Sequence, residues 1–100
     1  MAAYIIANFR ITDLEKIREF RELAIPIIRD AGGKPIVVTD DAEVLEGSPQ
    51  PTVIVHKFDS REAAHKLFNS SEFQAIQPIR LSATENSWVV IADEYVASSG

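Results

Sequence analysis

Four short apolar segments and two longer amphipathic segments alternate along the chain. The apolar segments are rich in β-branched and aromatic residues, and they span residues 3–9, 34–39, 52–58 and 87–92. Such runs, bounded by turn-forming residues, are typical of β-strands. Both alternating sets of side chains in these segments are largely apolar, which indicates strands that are covered on both faces. The stretch 40–51 is rich in turn residues, with one further short strand expected at Val44 and Leu45.

The first amphipathic segment starts at a capping-box sequence. Thr12 is expected to accept a hydrogen bond from the amide of Glu15, whose side chain reaches back. Apolar residues then recur at helical spacing as far as Ala31, where two glycines follow and end the helix. Because Pro26 removes a backbone donor inside this helix, we expect a kink or a break over residues 22–26.

The second amphipathic segment follows Asp59, which lies three residues before Glu62 and is therefore expected to cap a helix. This helix should reach about Asn69. A further short helix is expected to start at the serine pair 70–71 and to end at Pro78, which cannot continue the backbone hydrogen bonding.

The order of the main elements is therefore βαββαβ. Each main helix connects strands that are not hairpin neighbours, and right-handed crossovers place both helices on the same side of the sheet. The predicted fold is α+β and ferredoxin-like, with a four-stranded antiparallel sheet and two main helices on one face. One domain should occupy residues 1–96, followed by a polar, fraying tail at 97–100.

The face of this sheet that the helices leave bare is also apolar. An exposed patch of that size exceeds what a monomer usually tolerates. We therefore expect a second copy of the chain to pack on it, sheet to sheet, with two-fold symmetry. The alternative is that the long segment after the second helix folds across this face.

Composition narrows the classes of function. The chain has no cysteine, which excludes disulfides, zinc–thiolate sites and thiol nucleophiles. Its formal net charge is −5 and it contains no basic run, so neither a nucleic acid nor an anionic membrane is an expected partner. No apolar run is long enough to span a bilayer and the first residues do not resemble a signal peptide, so we expect a cytoplasmic protein.

Several strings in the chain, in their order, resemble the family known as domain of unknown function 1330. They are AYIIANFRITDLEKIREFRELAIPII, then EVLEG, then SREAA shortly after Phe58, then NSSEFQAIQPIRLSA. The resemblance implies a ferredoxin-like protomer of the dimeric α/β-barrel superfamily, which dimerises through its sheets. It implies no agreed activity, although other superfamily members are monooxygenases, haem-handling enzymes and isomerases that place small molecules between sheet and helices.

The chain departs from the family pattern at several positions. Phe68 and Phe73 stand where the family tends to have tyrosine, so neither can supply a hydroxyl. Thr52 stands in place of an arginine, and Lys57 in place of a glutamate. The polar matches that remain are Asn8, Arg10, Glu46 and Arg80.

The two histidines differ in their expected roles. His56 lies in the third strand on the face of Ile54 and Phe58, where it could act as a general base or an axial haem ligand. The alternative, which we favour, is a partly buried histidine bonded to a neighbour. His65 points to solvent from the second helix. Neither histidine has the spacing of a metal motif, so no metal site is expected.

Arg80 is the leading candidate for ligand binding. We expect it in a loop at the open end of the barrel, where a guanidinium could hold a carboxylate or phosphate through two hydrogen bonds. The alternative is a salt bridge with Glu46 or Glu72. Glu46, which precedes a turn glycine, is either a general base or a turn carboxylate paired to an arginine of the partner subunit.

Asn8 and Tyr4 share one face of the first strand with Ile6. A buried amide needs a hydrogen-bond partner, because burying it unpaired costs roughly 1–3 kcal/mol. That partner is a ligand, a neighbouring backbone group or the other subunit, and the structural role is favoured.

The sequence thus supports three hypotheses. The first is a homodimer with a pocket between sheet and helices for a small organic acid, contacted by Arg80, Asn8, Tyr4 and Glu46. The second is a cofactor-free oxygenase- or isomerase-like enzyme with His56 or Glu46 as the base. The third is a structural or interaction module. No cofactor is expected in any of them.

Overall fold

The computed structural model describes residues 1–97 and contains four strands and three helices within that range. In chain order they are β1 (Ala3–Ile11), α1 (Leu14–Asp30), β2 (Lys34–Thr39), β3 (Thr52–Phe58), α2 (Arg61–Phe68), α3 (Ser71–Ser82) and β4 (Thr84–Asp93). Of the expected tail, Ala97 is exposed and residues 98–100 lie outside the described range.

The strands form one antiparallel sheet in the order β2-β3-β1-β4, with β1 and β3 in the centre. Ile5 of β1 lies opposite His56 of β3 and Ile91 of β4, and Ala7 lies opposite Ile54 and Val89. These side chains belong to the face that the helices cover. The predicted α+β ferredoxin-like sheet is confirmed, although α3 is longer than the short third helix that the sequence suggested.

The helix starts differ from the predicted caps by one residue each. Asp13 caps α1 and accepts from the amide of Lys16 at 3.1 Å. The prediction of Thr12 is wrong because the Thr12 amide is held by the carbonyl of Ala83 at 2.8 Å, which keeps this residue outside the helix. Ser60, and not Asp59, caps α2 by accepting from the amide of Ala63 at 3.0 Å.

Two prolines lie inside helices without ending them. α1 runs unbroken through Pro26, and α3 continues past Pro78 to Ser82, so the break expected in the first and the end expected in the second are wrong. Both prolines are exposed, as are Glu22 and Gln74, four residues earlier. Because water can reach the carbonyls that lose their intrahelical donor, the helices tolerate the missing hydrogen bonds.

Two further predictions, a short strand at 44–45 and the start of the last strand, differ from the structure. Val44 and Leu45 form no strand, and Leu45 is 91% exposed in the loop between β2 and β3. β4 begins at Thr84, before the predicted start, and its pairing with β1 shifts register near Asn86, which has a φ of 53°. This bulge sets the position of the following residue, Ser87, whose hydroxyl accepts a hydrogen bond from Arg80.

The main core lies between the helices and the sheet. It is centred on the buried residues Ile5, Phe58, Ala64 and Leu67. A Cβ at Gly33 would lie 2.5 Å from the Ile28 side chain and 2.8 Å from the Phe58 ring, so only glycine fits at the turn from α1 into β2. Within residues 1–97, none of the helices has the length and hydropathy to cross a bilayer.

The other face of the sheet is open. Val37, Trp88 and Val90 lie on it and are between 39% and 48% exposed. The alternative in which the segment after α2 covers this face is wrong, because that segment forms α3 and packs against α1.

Candidate functional site

A cavity of about 380 Å³ lies between the helices and the sheet. α1 makes its main packing contacts with α3, which leaves room between α1 and the strands. Phe73 closes one side, with its ring centroid 6.3 Å from that of Phe20 and 5.9 Å from that of Phe68. The strands contribute small and apolar side chains, among them Ala7 and Val89. The volume lies within the range of small-molecule sites.

The polar groups that line this cavity carry positive charge or none. Arg21, Arg29 and Arg80 line it together with His56 and Gln77. None of the residues lining it is an aspartate or a glutamate. Arg21 is paired with Asp40 at 2.8 Å, so Arg29 and Arg80 are the cationic lining residues without a carboxylate partner in residues 1–97, and their charge favours anions.

Arg80 is the most deeply placed of these charges, at 8% exposure. It lies in the last turn of α3, and not in the loop that the sequence suggested. Its Nε donates to Oε1 of Gln77 at 2.9 Å, and Nη1 donates to Oγ of Ser87 at 2.6 Å. Burial lowers the pKa of Arg80 from its usual value, since the charged form loses hydration.

The remaining terminal nitrogen of Arg80, Nη2, has no hydrogen-bond acceptor within residues 1–97. In the same range, no fully buried side-chain nitrogen or oxygen lacks a partner, so Nη2 is not completely buried, and Arg80 is one of the residues that line the cavity. No carboxylate of the described chain forms a salt bridge with Arg80, which contradicts the expected pairing with Glu46 or Glu72.

Local backbone contacts hold Arg80 in place. Its carbonyl accepts from the Thr84 hydroxyl at 2.9 Å and from the Ala83 amide at 3.1 Å. The Ala83 carbonyl in turn accepts from the amide of Thr12. The end of α3 is therefore tied to the start of β4 and to the residue that follows β1, which holds the backbone of Arg80 in place.

His56 lies on the same side of the sheet and lines the same cavity. It is half-buried, between Ile5 on one neighbouring strand and Pro35 on the other. Burial lowers its pKa below the ordinary value of 6.5, which favours the neutral imidazole. No hydrogen bond to the ring is present among residues 1–97, so the bonded neighbour that we favoured from sequence is not found there. His65 is exposed, as predicted.

Asn8 and Tyr4 lie on the opposite face of the sheet and do not contact the cavity. The amide nitrogen of Asn8 donates to the carbonyls of Gln50 and Thr52 at 2.8 and 2.9 Å, and its oxygen accepts from the Gln50 amide at 3.0 Å. The structural reading of Asn8 is the one that these bonds support. Tyr4 donates to Glu94 at 3.5 Å.

Glu46 is also remote from the cavity. It is exposed in the loop between β2 and β3, before Gly47, whose φ of 84° marks the expected tight turn. Two of the candidate residues, Arg80 and His56, therefore line the same cavity, whereas Glu46 lies away from both. Arg10, a further polar match to the family, forms an exposed salt bridge with Glu85 at 3.2 Å.

Sequence reasoning missed Gln77 and Ser87. Gln77 is 6% exposed and precedes Arg80 by three residues, which places both on one face of α3. That spacing was a detectable signal. Ser87 could not be found in this way, because its role depends on the bulge in β4.

These features define the class of protein: a ferredoxin-like α+β fold with a cavity between its helices and its sheet. The chain belongs to the DUF1330 family, a domain of unknown function, whose model matches residues 2–94. The curated proteins contain no match to this sequence.

Several solved structures share the fold at low sequence identity. A protein of unknown function from Rhodopseudomonas palustris is 14% identical, with a TM-score of 0.79 over 96% of this chain and 84% of that one. A dimeric ferredoxin-like protein of unknown function from Jannaschia is 11% identical, with a TM-score of 0.73 over 94% of this chain and all of the other. One from Bacteroides fragilis, also dimeric and ferredoxin-like, is 16% identical, with a TM-score of 0.62 over 93% and 96%.

Proposed function

We propose that this protein binds a small organic acid in the cavity between its helices and its sheet. The carboxylate of the ligand contacts Arg80, and the apolar body fills the space beside Ala7, Val89 and Phe73. The observation that carries the proposal is a buried arginine that lines the cavity, has no carboxylate partner within residues 1–97 and leaves Nη2 without an acceptor in that range.

The energetics of Arg80 support an anionic ligand. A buried charge without a counter-charge costs several kcal/mol in effective desolvation. Gln77 and Ser87 offset part of this cost through hydrogen bonds, but both are neutral. A carboxylate would supply the missing charge and would engage the planar guanidinium through charge-assisted hydrogen bonds.

The test is an NMR titration of the amides of β1 and β4 with phenylpropanoate and with its uncharged amide. We expect phenylpropanoate to bind and Arg80→Gln to weaken it by at least about tenfold, because a hydrogen-bonded charge pair is lost. The uncharged amide should respond little to the substitution. Arg10→Gln, on an exposed arginine outside the cavity, is the matched control and should bind as the unmodified protein does.

Equal affinity of the unmodified protein and the Arg80→Gln variant for phenylpropanoate would contradict the proposal. So would a titration that shifts amides of the open face instead of those beside the cavity.

The same proposal places the protein in a homodimer that forms through the open face of the sheet. Its support is the row of half-exposed apolar residues on that face, including Trp88 and Val90, and the dimers described for two structural neighbours. Packing this face against a second copy would remove apolar area from water, which stabilises by about 25 cal/mol per Å².

Sedimentation velocity tests the dimer. We expect two subunits per particle for the unmodified chain and one for Val90→Asp, which puts a charge among the apolar residues of the open face. Leu81→Asp is the control, since Leu81 is 57% exposed on α3, away from this face. A single-subunit particle for the unmodified chain at high concentration, or equal effects of the two substitutions, would refute the interface.

A cofactor-free enzyme is the second candidate, and His56 is the observation that favours it. A neutral, half-buried imidazole in a ligand cavity has the properties of a general base. Its support is weaker than that for binding, since the substrate is not defined by the cavity alone. Turnover of a bound acid that disappears in His56→Leu while binding persists would establish it.

A further inference from the structure

His56 and Ser87, the partner of Arg80, lie at separate positions along the sheet. His56 lies opposite Ile5 of β1. Ser87, which accepts from the Arg80 guanidinium at 2.6 Å, directly precedes Trp88, and Trp88 lies opposite Asn8 of β1. These positions differ by about four residues along β1, or about 13 Å, and by two strand spacings, or about 10 Å. With one hydrogen bond of about 3 Å at each end, a ligand that spans both has polar ends roughly 10 Å apart.

The surface between these ends is apolar. Ala7 lies midway along the path on β1, flanked by Ile54 on β3 and Val89 on β4. All three line the cavity, and the methyl group of Ala7 leaves room above the centre of the sheet. A ligand that runs from Arg80 to His56 therefore has an apolar middle.

The imidazole end selects for a particular group. A neutral histidine presents one donor and one acceptor, and the ring of His56 has no hydrogen-bond partner within residues 1–97. Besides His56, the titratable or charged groups lining the cavity are the buried Arg80, the exposed Arg29, and Arg21, whose charge is paired with Asp40. A hydroxyl, which both donates and accepts, complements the neutral ring, whereas a second carboxylate would find no fixed charge on the histidine.

We infer that the ligand is an elongated hydroxy acid, with its carboxylate on Arg80, an apolar middle over Ala7 and a hydroxyl at the far end on His56. This inference rests on the proposed acid-binding function and adds the substrate class. It makes His56 a specificity-determining residue, in contact with the ligand end that is remote from the acid.

Four probes separate these features: para-hydroxyphenylpropanoate, its ortho isomer, phenylpropanoate, and the para-hydroxyphenyl alcohol that lacks the acid. Near neutral pH, we expect the para isomer to bind about fivefold more tightly than phenylpropanoate, as one net hydrogen bond predicts. The ortho isomer has the same composition but the wrong length, and should show no such gain. The alcohol should bind weakly.

Variants assign the effects to residues. His56→Leu should bring the ratio of para isomer to phenylpropanoate close to one, whereas His65→Leu, on the exposed histidine, should leave it unchanged. Arg80→Gln should weaken all three acids by at least about tenfold and keep the para preference. In the unmodified protein, the imidazole resonances of His56 should shift with the para isomer and not with the ortho isomer.

The outcomes distinguish the two proposals. Equal binding of the para isomer and phenylpropanoate, or a preference that persists in His56→Leu, would overturn the hydroxy-acid inference. The proposed acid site would still stand if Arg80→Gln weakens binding of the acids. Loss of dependence on Arg80 would overturn the proposed function itself. If no acid shifts the cavity resonances up to about 10 mM, both are overturned.

Discussion

Asn8 and Arg80 are buried polar residues on opposite sides of the sheet, and they differ in how fully the protein satisfies their hydrogen-bonding groups. Asn8, on the open face, forms three hydrogen bonds with the backbone of Gln50 and Thr52. Arg80, on the covered side, has two neutral partners and one terminal nitrogen, Nη2, without an acceptor among residues 1–97. Both residues are less than 9% exposed.

This difference separates a structural polar group from a candidate ligand contact. Burial alone does not, because a buried amide whose donors and acceptor are all bonded to the backbone can exist without any ligand. A buried cation with unused hydrogen-bonding capacity is costly unless something else enters the site. Substitutions at both positions can therefore test the comparison directly.

The largest effect on stability is expected for Asn8→Ala. It leaves the Gln50 amide and the carbonyls of Gln50 and Thr52 without their partner, and Thr52 is 1% exposed. We expect the free energy of unfolding to fall by about 3 kcal/mol, measured by urea denaturation. Binding of phenylpropanoate by the folded fraction should not change. A loss of less than half this amount would mean that water replaces the lost bonds.

Arg80→Met should alter stability much less. The substitution removes a desolvated charge and keeps an unbranched side chain, so its cost and its gain nearly offset, and we expect a change within about 1 kcal/mol. Urea denaturation at neutral pH checks this. A destabilisation as large as that of Asn8→Ala would show that Arg80 is part of the structural framework, which would erase the contrast between the two faces.

His56 should give the stability a pH dependence of smaller size. Because burial lowers its pKa in the folded state, the unfolded chain binds a proton that the folded chain does not. Stability is therefore highest above the ordinary value of 6.5 and falls as the pH drops below it, by about 1.4 kcal/mol for each pKa unit of lowering. His56→Leu should flatten this slope in urea denaturation, and His65→Leu should not.

The smallest effect is expected at the Arg21–Asp40 pair, which ties α1 to the loop after β2. The carboxylate accepts from Arg21 at 2.8 and 3.1 Å and from the Thr52 hydroxyl at 3.0 Å, and the Arg21 hydrogen bonds lower its pKa from the usual 3.8. The contribution is present above pH 3.8 and is lost as the pH falls through the lowered value. Since both side chains are partly exposed, we expect about 0.5 kcal/mol.

Arg21→Gln measures this contribution, by the difference in unfolding free energy between neutral pH and about pH 3. Arg18→Gln, on an exposed arginine of the same helix, is the control. A pH dependence that is identical in Arg21→Gln and in the unmodified chain would show that the pair contributes nothing measurable.

The strands were the most predictable part of the fold. The bounds of β2 and β3 follow from their apolar runs alone, because strand period and β-branched composition are local properties. Helix ends were less predictable. At α1, the choice between Thr12 and Asp13 depended on the distant carbonyl of Ala83, and the effect of Pro78 on α3 depended on access of water to one carbonyl.

The candidate site was predictable only in part. The residue types suggested Arg80 and His56, and both line the cavity, but they also suggested Asn8 and Glu46, which do not. Sequence spacing could not separate these pairs, since the outcome depends on which face of β1 the helices cover and on where the β2–β3 loop lies. The contribution of Ser87 depended further on a bulge in β4.

The sequence by itself determined the class of fold, the absence of cysteine chemistry, and two apolar faces for one sheet, because composition and periodicity are carried by the residues in order. The tertiary structure decided which polar groups meet. Partners such as Arg80 and Ser87, or Asn8 and Gln50, are joined by crossovers and loops whose geometry no local pattern encodes. Only that geometry distinguishes a satisfied amide from a guanidinium that can still accept a ligand.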